Sequence, residues 1–428
     1  MNRDELTRVE QFNQFKNGIR GSNKHLIIGI DVAKDKHHAF MGSATGKSLL
    51  RRLIFENNIS GFGKVLTQSE AIRVQNALQC SVFGFEPTGN YHKPLAEYLI
   101  RCRHNVVLVS GLATKRNREL LDGRWDKHDT KCAANIADLI SQGKCLFYET
   151  PSPQIRQLRE LMSLRRRLKK EQHSLKMRIR NNLLAKYFPE LDRFYNQCES
   201  QSLDIIREYL NPSEIAGMKF DQFYKALPAR KGKIIQLRRL IKIHHLACES
   251  VGCEMGEAGE FEARMLVDKL RAVCKRIEET KDLIEDISLD FTEYSWLLTI
   301  PGFGPYISAL VLATISNPYR FTNRKQVLKM AGYDLNAVRS GKKSDMVVPK
   351  ISKRGNAALR YALYQAAFVA STRNLAFVQY YTRLLQGRER EQGIKTKMRV
   401  KIAAKMLVIA WTLMKKKIPF NPDCLKDE

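Results

Sequence analysis

Long apolar runs are missing from this 428-residue chain. No stretch approaches the ~20 apolar residues that a membrane-spanning helix needs. The best candidate, Ile402 to Met414, is too short and is interrupted by Lys405. The N-terminal MNRDELTRVEQFNQFKNGIRG is polar and lacks an apolar h-region, so no secretory signal is expected and the chain reads as cytoplasmic. Cysteine is sparse: nine residues, an odd number and scattered, which excludes a disulfide framework. The one close pair, Cys248 and Cys253, lacks CxxC spacing and a matching second pair, so idle thiols are the better reading than zinc. Acidic charge is also short, with 44 Asp and Glu against 73 Lys and Arg, a formal charge of +29. On a globular composition with 44% apolar residues, that excess favours a polyanionic partner, nucleic acid ahead of a membrane surface.

What is present divides along the chain. After a polar tail (1–22), residues 23–150 alternate strand and helix signals. His25 to Val32, Lys36 to Met41 and Leu49 to Phe55 read as a meander of three strands. A helix over Ile59 to Leu78 leads to a strand at Cys80 to Glu86. A helix from near Tyr91 leads to a strand at Val106 to Val109, and two helical segments follow. This pattern predicts an α/β domain with a mixed sheet and helices on its faces. Residues 151–290 turn helical. Leu161, Leu164, Leu168, Leu175 and Ile179 follow coiled-coil spacing, as do Leu266, Leu270, Val273, Ile277, Ile284 and Ile287. An antiparallel arm or a dimerisation element is expected, with a mostly helical insertion over about 196–260.

The first of these helices, Ile155 to Lys186, carries 11 Lys or Arg and two Glu. Arg165, Arg166 and Arg167 are its densest cluster, a candidate nucleic-acid contact unless the stripe is merely a solvated face. Residues 291–428 read as an all-α domain. There Ile300-Pro301-Gly302-Phe303-Gly304-Pro305 between apolar helices has the form of a helix-hairpin-helix. Gly302 and Gly304 would let the backbone approach a phosphate; an ordinary core connection is the alternative.

Asp31 and Glu86 each end an apolar strand, and Asp126 and Asp129 lie three apart at a helix start. Four carboxylates on one sheet edge would repel unless a divalent cation neutralised them, and Mg²⁺ suits such hard oxygen ligands. Each alone is more often a turn or cap residue. The motifs Gly29-Ile30-Asp31-Val32-Ala33-Lys34, Glu86-Pro87-Thr88-Gly89-Asn90-Tyr91-His92 and Asp126-Lys127-His128-Asp129 resemble the carboxylate motifs of the insertion-sequence 110 family. These are the DEDD transposases with a RuvC-like, ribonuclease-H-fold domain. In the same order follow Ile300 to Pro305, Ala331-Gly332-Tyr333, Arg339-Ser340-Gly341 and Ile351 to Asn356, similar to that family's transposase domain. In the third motif the family's flanking Thr and Ala are replaced by Trp125 and Thr130, and Asp122 stands nearby as an alternative ligand.

The resemblance implies a DNA recombinase whose Asp31, Glu86, Asp126 and Asp129 hold Mg²⁺ and whose Ser340 attacks the DNA phosphate. It implies double-stranded donor and target DNA as substrates, an element-encoded bridge RNA as guide, and a homo-oligomer. Arg339, Lys342, Lys343, Lys350, Lys353 and Arg354 surround Ser340 in sequence and would neutralise the scissile phosphate; Ser344 and Ser352 are neighbouring hydroxyls. A water-using RuvC-like junction endonuclease and a non-catalytic nucleic-acid-binding factor are the competing readings.

Overall fold

A computed structural model describes residues 3–122, 129–148, 151–195, 200–227, 233–336 and 350–425. By packing, the chain separates into Met1–Thr150 and Pro151–Glu428.

The first unit is a six-stranded sheet in the order β3-β2-β1-β4-β5-β6. In chain order it holds α1 (Arg3–Ile19), β1 (His25–Asp31), β2 (Lys36–Ser43), β3 (Ser48–Glu56), α2 (Ile59–Gln75), β4 (Cys80–Phe85), α3 (His92–Arg101), β5 (Asn105–Leu108), α4 (Gly111–Asp122), α5 (Asp129–Ser141) and β6 (Leu146–Phe147). β1, β2 and β3 form the antiparallel meander, and β4 and β5 extend β1 in parallel. The residues expected as a polar tail instead form α1, because Phe12, Phe15 and Ile19 give it an apolar side that packs into the core. The two-residue β6 is too short for any alternation signal.

Side-chain alternation sorts this sheet into two cores. Leu26, Ile28, Ile30, Phe83 and Phe85 face the apolar cluster of α2 and α3. Ile27, Val82 and Val107 face the other, with Ile136, Ala137 and Ile140 of α5. Gly29 and Gly84 are register partners on that second face. A Cβ at Gly29 would stand 2.2 Å from the Ala133 carbonyl oxygen, and one at Gly84 would meet Ile140 at 2.4 Å. The bare backbone there lets α5 lie directly on β1 and β4.

The second unit is helical. It runs through α6 (Pro153–Arg178), a π-helical turn (Ile179–Leu184), α7 (Ala185–Tyr187), α8 (Ser200–Glu208), α9 (Pro212–Gly217), α10 (Phe220–Ala226), α11 (Lys233–Cys248) and α12 (Glu257–Leu289). It continues with α13 (Thr292–Leu298), α14 (Pro305–Ile315), α15 (Arg324–Ala331), the short pair β7 (Leu335–Asn336) and β8 (Lys350–Ile351), α16 (Ala357–Arg373), α17 (Leu375–Leu385) and α18 (Ile394–Lys416). The pairings of Arg178 with Glu262 and of Gln172 with Cys274 fix α6 and α12 as antiparallel. Each spans two cores. Ile155, Leu158, Met162 and Ile284 join the C-terminal helices, while Leu168, Leu175, Leu266 and Leu270 join a distal core with the inserted α8 to α11. Arm and C-terminal helices pack within the one unit Pro151–Glu428.

The seam differs in one respect from the three-four spacing of the sequence. Leu164 is exposed, and the buried line runs through Leu158, Met162 and Leu168. Arg165 and Gln172 take the intervening positions. The Arg165 guanidinium lies 3.9 Å from the centroid of Tyr306, in the first turn of α14.

Candidate active site

The same alternation that seats α5 aims the carboxylates. Asp31 ends β1 two residues beyond Gly29, and Glu86 follows β4 two residues beyond Gly84, so both continue the face that α5 crosses. Ile30 pairs with Phe85, which sets Asp31 and Glu86 side by side at the C-terminal ends of adjacent parallel strands. Asp129 opens α5 and stands exposed at that helix's N-terminal end. Three of the four carboxylates expected from the sequence thus lie on one side of one sheet, about the ends of β1 and β4.

Glu86 is held from α4. The Thr114 hydroxyl donates to Glu86 Oε2 at 2.6 Å. The Thr114 carbonyl accepts from buried Asn135 on α5 at 2.7 Å. Asn117 donates to Asn135 Oδ1 at 2.9 Å and to Asp138 Oδ2 at 2.7 Å. This buried amide chain locks α4 to α5 and fixes the wall behind Glu86. Sequence reading missed Thr114, Asn117 and Asn135; in α4 the first two are indistinguishable from the charged residues around them, and only Asn135 stood out in the more apolar α5.

It also missed His38. In β2, His38 is the cross-strand partner of Asp31, and its Nε2 lies 3.2 Å from Asp129 Oδ2. It therefore stands between the first and last carboxylates. Its neighbour His37 points to the opposite face, fully buried beside Phe55 and Phe62, and its Nδ1 accepts from the Ala33 amide at 3.2 Å. Burial is the main cause that holds His37 below the usual histidine value. A neutral His37 is what that accepted bond requires, and the bond pins the turn that follows Asp31.

Carboxylate oxygens suit a hard divalent ion, and adjacent strands ~4.8 Å apart allow two of them to share one. Among the described residues no set of three or more His, Cys, Asp or Glu is close enough to form a metal cage. Asp126 falls outside the described residues, and nothing is described of the Asp122 side chain.

In the second unit, the candidate nucleophile Ser340 and its neighbours Arg339, Lys342, Lys343 and Ser344 lie outside the described residues. The base of their segment is tightly built. β7 and β8 pair Leu335 with Ile351, the Lys353 amide donates to the Gly332 carbonyl at 3.1 Å, and the Asn356 amide donates to the Met330 carbonyl at 3.0 Å. Ser352 is occupied by Asp334 at 2.5 Å, while Lys353 and Arg354 are exposed beside it. The Arg360 guanidinium also caps the Ala331 carbonyl at 2.8 Å. The two motifs flanking residues 337–349 are thus clasped together.

The candidate phosphate contacts separate. Gly302 has φ +86°, and a Cβ there would sit 2.4 Å from the Ala366 carbonyl oxygen, so that glycine serves the seating of the α13–α14 turn on α16. Gly304 has open space where its Cβ would be. Arg165 is turned inward onto Tyr306 with its Nε buried, whereas Arg166 and Arg167 are exposed. Of the three arginines predicted as one contact, two face solvent.

Comparison with known proteins finds matches at both ends of the chain. Residues 28–189 match the family model of the DEDD transposases of IS110. Residues 294–382 match that of the transposase IS116/IS110/IS902 family. The chain belongs to the IS110 family of transposases. A Streptomyces coelicolor protein named as a candidate mini-circle transposase for IS117 is 23% identical over 326 residues, 72% of this chain and 75% of that protein. An IS110-family transposase is an enzyme of DNA recombination that cleaves and rejoins DNA. No helix among the described residues is long and apolar enough to cross a membrane.

Proposed function

We propose that this transposase cuts and rejoins double-stranded donor and target DNA through a serine–phosphate ester at Ser340, with Mg²⁺ held by Asp31, Glu86, Asp126 and Asp129. The observation that carries this reading is the placement of Asp31 and Glu86 on adjacent strand ends, with Asp129 on the same face. Bound there, a divalent cation would supply charge neutralisation at the scissile phosphate. Glu86, braced by Thr114, and Asp31, in register with it, would hold that cation; His38 orients Asp129 toward the same edge.

Ser340 Oγ would attack phosphorus, forming a phosphoserine ester while the departing sugar oxygen takes up a proton. One phosphodiester replaces another, so the reverse attack by a sugar hydroxyl rejoins DNA without a nucleotide cofactor. Arg339, Lys342, Lys343, Lys350, Lys353 and Arg354 would offset the phosphate charge. Gly304 at the start of α14, with Arg166 and Arg167 on α6, would contact the DNA backbone. The paired α6 and α12 act as a coiled-coil arm joining copies into a homo-oligomer, and a bridge RNA selects the target.

A substrate nicked beside the cut site tests this reading. Wild-type protein should accumulate as a denaturant-resistant DNA adduct, mapped by peptide sequencing to Val338–Lys343 and absent in Ser340→Ala. Cleavage with no adduct at any time would establish water as the nucleophile. RNA copurifying with the protein should carry a defined sequence; its absence removes the guide.

A further inference from the structure

The helices α16, α17 and α18 contain no carboxylate at all. From Met346 to Arg388 there is no Asp or Glu but seven Lys or Arg, and from Gln392 to Pro422 again none, with eight Lys or Arg. In a chain with 44 acidic residues this concentrates positive charge on three helices, and one of them, α16, carries an uncovered aromatic face. On α16, Tyr361 is 69% exposed and Phe368, two turns along the same side, is 44% exposed. The Arg399 guanidinium of α18 lies over both rings, 4.5 Å from the Phe368 centroid and 5.4 Å from that of Tyr381. Arg399 Nε is buried there with no hydrogen-bond partner.

We infer that this face of α16, from Tyr361 to Phe368 and Arg399, is a stacking platform for unpaired DNA. Tyr361 and Phe368 are seven residues apart, about 10 Å along the helix, which is about three base-stacking steps. Aromatic rings and a flat guanidinium accept the faces of bases whatever the sequence, and the lysines and arginines of these helices draw in the backbone. Duplex DNA cannot use such a platform, because its base faces are already stacked. Unpaired DNA, however, is produced by the established activity: a cut strand must leave its complement before it can be rejoined to another. The inference rests on that DNA-rejoining activity and not on which residue is the nucleophile.

The test is fluorescence polarisation of the full chain with a labelled oligothymidylate, ~15 nucleotides long to cover one binding site, and with a duplex of equal length. Tyr361→Ala and Phe368→Ala should each weaken single-strand binding, about 5-fold to about 150-fold, and leave duplex binding within about 2-fold. Tyr361→Phe keeps the ring and should bind as wild type. Because Tyr361 is a surface residue, an unchanged melting temperature in its variants shows that the fold is intact. Equal weakening on single strand and duplex, or no change on either, overturns the platform. So does unchanged DNA binding with a change in oligomeric state, which would make the face an interface between copies. Tighter binding of the matched oligouridylate, abolished in the same variants, would overturn its assignment to DNA.

Discussion

The two units handle charge in opposite ways. In the first, Asp31, Glu86 and Asp129 are drawn toward one edge of a sheet, each on a different element, and each is given a neighbour: His38 across from Asp31 and beside Asp129, Thr114 on Glu86. In the second, three successive helices carry cations and no carboxylate at all. Like charges gathered by the fold cost stability unless a counter-charge is supplied. Both units therefore look outward for a partner of opposite sign, a cation for the first and a polyanion for the second. The difference lies in precision. The carboxylates depend on ångström-scale backbone packing at Gly29 and Gly84, whereas the charge of the cationic helices acts as a net field.

If that contrast holds, the most damaging small substitution should be Gly29→Ala. Its new Cβ meets backbone of α5, not a movable side chain, and should cost the first unit about 1–3 kcal/mol and displace Asp129. Thermal unfolding temperature and strand cleavage should both fall; a variant with wild-type melting and cleavage would show that α5 does not need this close approach.

Acid should discriminate between the units next. His25, His37, His92 and His104, all in the first unit, are held below the ordinary histidine value of 6.5, with burial the leading cause in each. The unfolded chain therefore binds more protons than the folded one, so this stability is present above about pH 6.5 and is lost as pH falls below it. Limited proteolysis with mapped fragments, at pH 7.5 and at pH 5.5, should show the first unit opening preferentially in acid. Preferential opening of the second unit would contradict this.

The smallest effect separates the arginines of α6. Arg166→Ala with Arg167→Ala should lower the salt dependence of DNA binding, by a slope of about 1 for each phosphate that is no longer neutralised. Arg165→Ala should instead cost about 1 kcal/mol of stability, because its guanidinium no longer covers the Tyr306 ring, with little change in slope. Identical slopes in all variants would place this stretch of α6 away from nucleic acid.

Much of this was legible in sequence because it rests on local pattern. The apolar, β-branched run from Leu26 to Ile30 marks β1, and Asp31 stands out as the carboxylate at its end. What stayed hidden depends on pairing between distant residues. His38 looks like one of two adjacent histidines until the β1–β2 register sets it opposite Asp31. Arg165 looks like part of a basic run until Tyr306, more than a hundred residues later, meets it. Leu164 fits the three-four spacing as well as Met162 does, and only packing decides between them. Gly302 reads as a phosphate-approach glycine, yet α16 occupies the space that its missing Cβ leaves.

The central proposal is that the strand-end carboxylates of the first unit support DNA cleavage by holding a cation, while the cationic surfaces bind the DNA. Asp31→Asn tests it most directly, since it removes one charge and leaves the side-chain shape. Single-turnover cleavage in Mg²⁺, measured beside DNA affinity on the same preparation, should show cleavage reduced by at least about 100-fold, the scale of removing one transition-state charge interaction, with affinity unchanged. Cleavage at the wild-type rate would remove Asp31 from the site and, with it, the proposed metal-binding edge.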